Sequence, residues 1–158
     1  MKWPLLALAT LTLGVGCSGG PRYIRGTKVT DSRDNRTILG VLEEYRLAVE
    51  RRDTAALLNL ASKEYWEDGG TPSGSDDYGY DGLRDMLSTR FARAEAIRYS
   101  MRYVGIERMP GNRASVDVLI DASYTIQTPN GPVRKDMREQ NQLMLVNDSG
   151  NWKFLSGM

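Results

Sequence analysis

The chain has 158 residues, with 21 basic and 20 acidic side chains, one cysteine and no histidine. That length suits one domain with a core of its own, the charge balance offers no general attraction for nucleic acid, and a single cysteine excludes a disulfide within the chain. The lack of histidine excludes histidine triads, histidine zinc sites and an imidazole base, so acid–base chemistry is confined to carboxylates, tyrosine and lysine.

Lys2 precedes an apolar run from Trp3 to Val15, broken only by Pro4, Thr10, Thr12 and Gly14. The run is too short to span a bilayer, which takes about 20 apolar residues as a helix, and it suits the core of an export signal. Small residues, Gly14-Val15-Gly16, lead into Cys17. This resembles the lipobox of bacterial lipoproteins, with Gly14 standing where Leu, Val or Ala is usual. The resemblance implies a signal peptide over residues 1–16, a palmitate-bearing lipid anchor on Cys17 and a place in the bacterial cell envelope. Ser18 after the cysteine suits sorting to the outer membrane, facing the periplasm. Lys2 is the only charge in the signal, so the mature chain is neutral.

Ser18 to Thr30 is polar, contains Gly and Pro and carries Arg22, Arg25 and Lys28. Residues 17–30 are therefore read as a lipidated cysteine and a flexible tether, whose basic residues suit either anionic headgroups or plain solvation. The folded domain is expected over residues 31–158.

Asp31 or Ser32 can cap a first helix. Along it Ile38, Val41, Leu42, Tyr45, Ala48 and Val49 recur at helical spacing, opposite a face with Glu43, Glu44, Arg46 and Glu50. Asp53 caps a second helix from Thr54 to about Lys63. Tyr65 to Gly82 reads as a Gly/Ser/Asp-rich loop, and a third helix runs from about Leu83 to Ala94, with Asp81 as its cap. Four alternating segments follow: Ala96–Arg108, Arg113–Gln127, Val133–Val146 and Trp152–Leu155. Pro-Gly and Asn-Gly turn sequences separate them, as in antiparallel hairpins.

Strand parity sorts the sheet into two faces. One carries Tyr99, Met101, Tyr103, Val116, Val118, Ile120, Leu143, Leu145, Trp152 and Phe154, and must meet the helices. Glu139 and Asn141 share that parity. A hairpin centred on Asn130-Gly131 sets them opposite Ala122 and Ile120. A carboxylate and an amide among apolar neighbours suit either a polar pocket or a nearby Arg. The other face mixes Arg98, Arg102, Asp117, Asp121 and Arg138 with Val104, Ile106, Leu119 and Met144. Val104 and Met144 are expected beside Asp117, in an apolar patch fit for a homodimer.

Together, Glu44-Tyr45-Arg46-Leu47-Ala48-Val49 leading to Arg52-Asp53, then Ala56-Leu57-Leu58-Asn59-Leu60, Tyr80-Asp81-Gly82-Leu83 and Trp152-Lys153-Phe154 resemble the nuclear transport factor 2-like superfamily, also called SnoaL-like. The resemblance spans about Asn35 to Met158. It implies an α+β fold of three N-terminal helices packed on a curved antiparallel meander sheet, a cone-shaped, cystatin-like roll with a cavity. Function does not follow, because the fold hosts enzymes and binding proteins alike.

Within that superfamily the ketosteroid isomerases use a tyrosine of the first helix, a base Asp after the second and a late-strand acid. The resemblance carries these onto Tyr45, Asp68 and the neighbourhood of Asn141, where an amide replaces the acid. Tyr45 also reads as core, and Asp68 as the cap of the Gly69-Gly70 turn. The expected pocket is Tyr45, Asp68, Tyr99, Tyr103, Glu139 and Asn141. Asp76, Asp77 and Asp81 crowd one loop, but their spacing is no calcium motif, and neither a metal nor a cofactor is expected. The favoured function is an envelope-anchored, non-enzymatic module that binds a small apolar ligand or a protein. The alternative is a cavity enzyme with acid–base chemistry like that of the isomerases or the SnoaL-like cyclases.

Overall fold

The computed structural model describes residues 20–158, so the signal, Cys17 and Ser18 lie outside the described residues. Three helices, α1 (Arg33–Arg51), α2 (Thr54–Leu60) and α3 (Tyr80–Arg93), pack on a four-stranded sheet. Its strands, β3 (Ala94–Met109), β4 (Arg113–Thr128), β5 (Gly131–Asp148) and β6 (Asn151–Ser156), form an antiparallel meander in chain order. A two-stranded ladder, β1 (Trp66–Glu67) with β2 (Tyr78–Gly79), closes the loop between α2 and α3.

The stretch read as a tether carries structure from Arg22 onward. Tyr23 bridges Thr30, the Ile24 N–H donates to the Val29 carbonyl at 2.9 Å, and the Asp31 N–H donates to the Arg22 carbonyl at 2.7 Å. Val29 is buried. Asn35 ties this hairpin to α1 by donating to the Thr30 carbonyl at 2.9 Å, and Arg36 pairs with Asp31 at 2.6 Å.

The Ser32 hydroxyl caps α1 by accepting from the Asn35 N–H, and Ile38, Leu42, Tyr45 and Ala48 form its buried stripe. The corner to α2 is made by Arg52 in the left-handed region, φ 57°, where its N–H reaches the Val49 carbonyl and the Asp53 N–H reaches that of Ala48. A non-glycine residue pays roughly 1–2 kcal/mol there. The Arg52 guanidinium bonds the Ala94 carbonyl at 3.0 Å, which anchors the corner. α2 stops at Leu60, short of Lys63, because Ala61 bridges Phe154 and the Ser62 N–H donates to the Phe154 carbonyl. α3 begins at Tyr80 rather than Leu83, so Asp81 lies in its first turn and Gly79 occupies the cap.

Two features of the sheet correct the expected registers. Thr128 pairs with Gly131, so the β4–β5 turn is Pro129-Asn130, with Gly131 at φ 104°. Pro129 pre-sets the first turn position and Gly131 supplies the positive φ that follows. Glu139 therefore pairs with Ile120 and Asn141 with Val118, a two-residue slip that leaves both on the inner face. β3 is bulged between Glu95 and Arg98 and again between Tyr103 and Gly105. The second bulge reverses parity, so Ile106 pairs with inward-facing Val116 and packs on the core instead of joining the outer patch. Arg108 also turns inward, where it lies 4.7 Å over the Trp152 ring and pairs with Asp34 at 2.6 Å.

The outer face is accordingly more polar than expected. Asp117 pairs with Gly105 and Gln142 rather than with Val104 and Met144, and Leu119 lies between Arg102 and Gln140. Arg138 bonds Asp121 of its own chain at 2.6 Å.

Candidate functional site

A cavity of about 650 Å³ opens between the C-terminal halves of α1 and α3 and the inner face of the sheet. Val49, Leu87, Phe91, Ile97, Ile126 and Met137 supply its apolar wall. The bulge at Ala96–Ile97 is what aims β3 around it: Ala96 takes φ 50°, and two residues face the single Tyr124.

Tyr45 and Tyr99 form the polar end. Their rings meet edge to face at 6.0 Å, and their hydroxyls approach to 3.5 Å, the long limit of a hydrogen bond. Tyr45 also packs on Phe154 at 5.1 Å. Burial pushes both phenols up; the neighbouring Tyr45 hydroxyl and Glu139 charge add to this at Tyr99. Both groups are therefore protonated near neutrality, and the hydroxyl that accepts in their mutual contact keeps its proton for an acceptor in the cavity. Tyr99 is fixed through its backbone. The Glu50 carboxylate accepts its N–H at 2.9 Å, and Arg46, paired with Glu50 at 2.7 Å, donates to its carbonyl at 3.2 Å.

Glu139 and Asn141 line the same space from β5. The Asn141 amide donates to the Gly157 carbonyl at 3.1 Å and accepts from the Gln142 N–H at 2.8 Å, so it is a strut for the Gly157–Met158 segment that closes one side. Glu139 has no ion-pair partner among the described residues, and neither have Arg90 and Arg93, which reach the cavity from α3.

Of the expected pocket, Tyr45, Tyr99, Glu139 and Asn141 line this cavity, and Asp68 and Tyr103 do not. Asp68 is exposed and its carboxylate accepts the Gly70 N–H at 2.8 Å, capping a turn. The inward acid is its neighbour Glu67, which accepts the Tyr65 hydroxyl at 2.5 Å and the Gly157 N–H at 2.7 Å. Alternation would have found it: Tyr65 is buried, Trp66 exposed and Glu67 half-buried. Tyr103 is half-buried near Glu43 and Arg46 of α1. In the acidic loop, Asp76 bonds the Thr71 hydroxyl and Asp77 accepts the Gly69 N–H at 3.2 Å. Arg90 and Arg93 were missed because the helical pattern reads them as a solvated face.

Helices, sheet order and cavity together settle the architecture. The fold is nuclear transport factor 2-like. A ketosteroid isomerase-like protein from Erwinia carotovora atroseptica superposes with a TM-score of 0.66 at 16% identity, over 79% of this chain and 93% of that one. A scytalone dehydratase candidate from Novosphingobium aromaticivorans does so with 0.67 at 15% identity, over 78% and 80%. A dehydratase candidate of the nuclear transport factor 2-like family from Streptomyces avermitilis gives 0.62 at 16% identity, over 78% and 93%. No family model matches the chain, and no curated protein matches it. At these identities the likeness speaks for the nuclear transport factor 2-like fold and leaves the chemistry to the cavity.

Proposed function

We propose that this chain is an envelope-anchored lipoprotein whose nuclear transport factor 2-like domain binds a small, mainly apolar ligand bearing one hydrogen-bond acceptor. The observation that carries the ligand reading is the pair of buried hydroxyls, Tyr45 and Tyr99, which share only a 3.5 Å contact at the end of an apolar cavity. One hydroxyl donates to the other across that contact, so the pair keeps one free O–H, which a ligand carbonyl or carboxylate would accept, and a ligand that replaces the long contact would free the second. The volume lies within the roughly 300–1,000 Å³ typical of small-molecule sites, and the mix of apolar wall and few polar groups fits them too. A binding role is favoured over catalysis because Asp68, the base implied by the isomerase resemblance, caps an exposed turn, and Asn141 is committed to Gly157.

One observation favours the alternative of a cavity enzyme. Glu139 lines the cavity from an exposed position with no cation paired to it among the described residues, within reach of bound substrate as a candidate base. Native mass spectrometry of the purified protein tests both readings. A retained small molecule, lost in the Tyr45→Phe, Tyr99→Phe double variant, is the expected result for binding. A recovered molecule that the protein converts, and that Glu139→Gln leaves unconverted, would replace the binding reading with the enzymatic one.

A further inference from the structure

The hairpin that replaces the expected tether is strongly one-sided in charge. Residues 22–36 carry five basic and two acidic side chains in a chain whose mature part is neutral. The two acids are already engaged, Asp31 by Arg36 and Asp34 by Arg108. Arg22, Arg25, Lys28 and Arg33 are exposed and form no ion pair among the described residues. Tyr23, 57% exposed, stands among them. An aromatic ring within a basic cluster suits the headgroup layer of a bilayer, where amphipathic rings and lysine or arginine heads both settle.

Chain length supplies the second argument. The hairpin begins at Arg22, five residues after Cys17, and five residues span at most about 18 Å when fully extended. A lipid on Cys17 would hold the cysteine at the headgroups. The hairpin then cannot leave the neighbourhood of the bilayer, and its charges spend much of their time within the roughly 8 Å over which surface charge acts at physiological salt. Its own backbone bonds and buried Val29 keep it folded there, so it presents a fixed surface rather than a loose basic tail. Among the described residues no helix is long and apolar enough to cross a membrane, so contact would be at the surface.

We infer that the Arg22–Asp31 hairpin, with Arg33, is a docking surface for an anionic phospholipid bilayer, and that it orients the domain on the membrane. α1 then carries cavity-lining Val49 about 24 Å along its axis from Arg33, at the end away from the docked hairpin.

This inference rests on the lipoprotein reading, and its test is separable from it. The chain from Cys17 onward is coupled through the thiol of Cys17, its only cysteine, to a maleimide-headgroup lipid in vesicles. One set is pure phosphatidylcholine and the other also contains phosphatidylglycerol. Coupling stands in for the natural lipid, so the outcome does not depend on whether cells lipidate Cys17. Amide hydrogen exchange is followed in the hairpin, with β4 as the internal reference for folding. The expected result is exchange several-fold slower in the hairpin on anionic vesicles only. The protection should vanish in about 1 M salt, where the screening length is about 3 Å, and in the Arg22→Gln, Arg25→Gln, Lys28→Gln variant with β4 unchanged. Equal hairpin exchange on both vesicles, or protection that survives in the triple variant, would overturn the inference.

Discussion

Glu50 on α1 accepts the backbone N–H of Tyr99 on β3 at 2.9 Å, and that bond fixes the polar end of the cavity to the first helix. The bond to Tyr99 is the chief reason the Glu50 carboxyl titrates below its ordinary value of 4.5, with Arg46 assisting against the cost of burial. A depressed folded value means that the unfolded chain binds the proton more tightly. The stabilisation is therefore present above about pH 4.5 and lost as pH falls through the folded value.

Glu50→Ala is expected to lower stability by about 1.5–3 kcal/mol at pH 7, the usual range for a hydrogen bond to a charged group. Urea unfolding should show the gap from the parent protein closing below about pH 4. A gap of constant size between pH 7 and pH 3 would assign the loss to packing instead.

Tyr45→Phe and Tyr99→Phe are expected to leave stability within about 1 kcal/mol, because the hydroxyls share one long contact. Each should weaken binding of the retained ligand about tenfold, equivalent to about 1.4 kcal/mol. Calorimetry with the molecule recovered by native mass spectrometry reads the affinity. Burial raises both phenols, so their stabilising effect is complete below about pH 10 and declines above it as the unfolded chain ionises. The double Phe variant should show a flatter alkaline limb, and an unchanged limb with unchanged affinity would place the ligand elsewhere.

Much of this was legible in the residues. The buried stripe Ile38, Leu42, Tyr45 and Ala48 follows from helical spacing, and strand parity assigns Val116, Val118 and Ile120 to the core. Parity also put Tyr99, Glu139 and Asn141 on the inner face, and the two-residue slip at Pro129-Asn130 could not undo that. Bulges were not legible. Ala96 at φ 50° has no side-chain signature for that conformation, and the bulge at Val104 turns Ile106 inward with nothing in the local pattern to announce it. The isomerase resemblance points to Asp68 as the Asp after the second helix, whereas alternation in β1 makes Glu67 the carboxylate that faces inward. Gly26 and the charges around it look like linker, and the hairpin shows only in the Tyr23–Thr30 bridge, its backbone bonds and the burial of Val29.

Cys17→Ser is expected to release the protein from membranes. The reason is the lone cysteine at the end of a short apolar run, a residue with no disulfide partner in the chain. Cells expressing each form are fractionated, and the pellet is washed in high salt to remove electrostatic contacts such as that of the hairpin. A variant that stays in the washed pellet would refute the lipid anchor, whatever the hairpin does on vesicles.

Leu119→Arg is expected to convert a dimer to a monomer. Leu119 lies near the middle of β4 on the outer face, half-buried, between Arg102 on β3 and Gln140 on β5. Val104 sits unpaired in the β3 bulge, and the register keeps Met144 and Val146 on this face, opposite Ser115 and Arg113, four and six residues along β4 from Leu119. The contact would therefore be a small apolar centre within a polar frame, which favours a weak, reversible dimer over an obligate one. The frame also limits the ion pairs available. Arg138 is held by Asp121 of its own chain, whereas Arg98 and Arg102 of β3 form no ion pair among the described residues and are the cations of this face that could reach Asp117 of a second copy across a two-fold axis. Such a pair would set register more than affinity. The substitution points away from the core, so thermal unfolding should be unchanged in the monomeric form. Sedimentation of residues 20–158 at tens of micromolar, in the range of weak association, decides the matter: a parent protein that is already monomeric there removes the outer face as a self-interface.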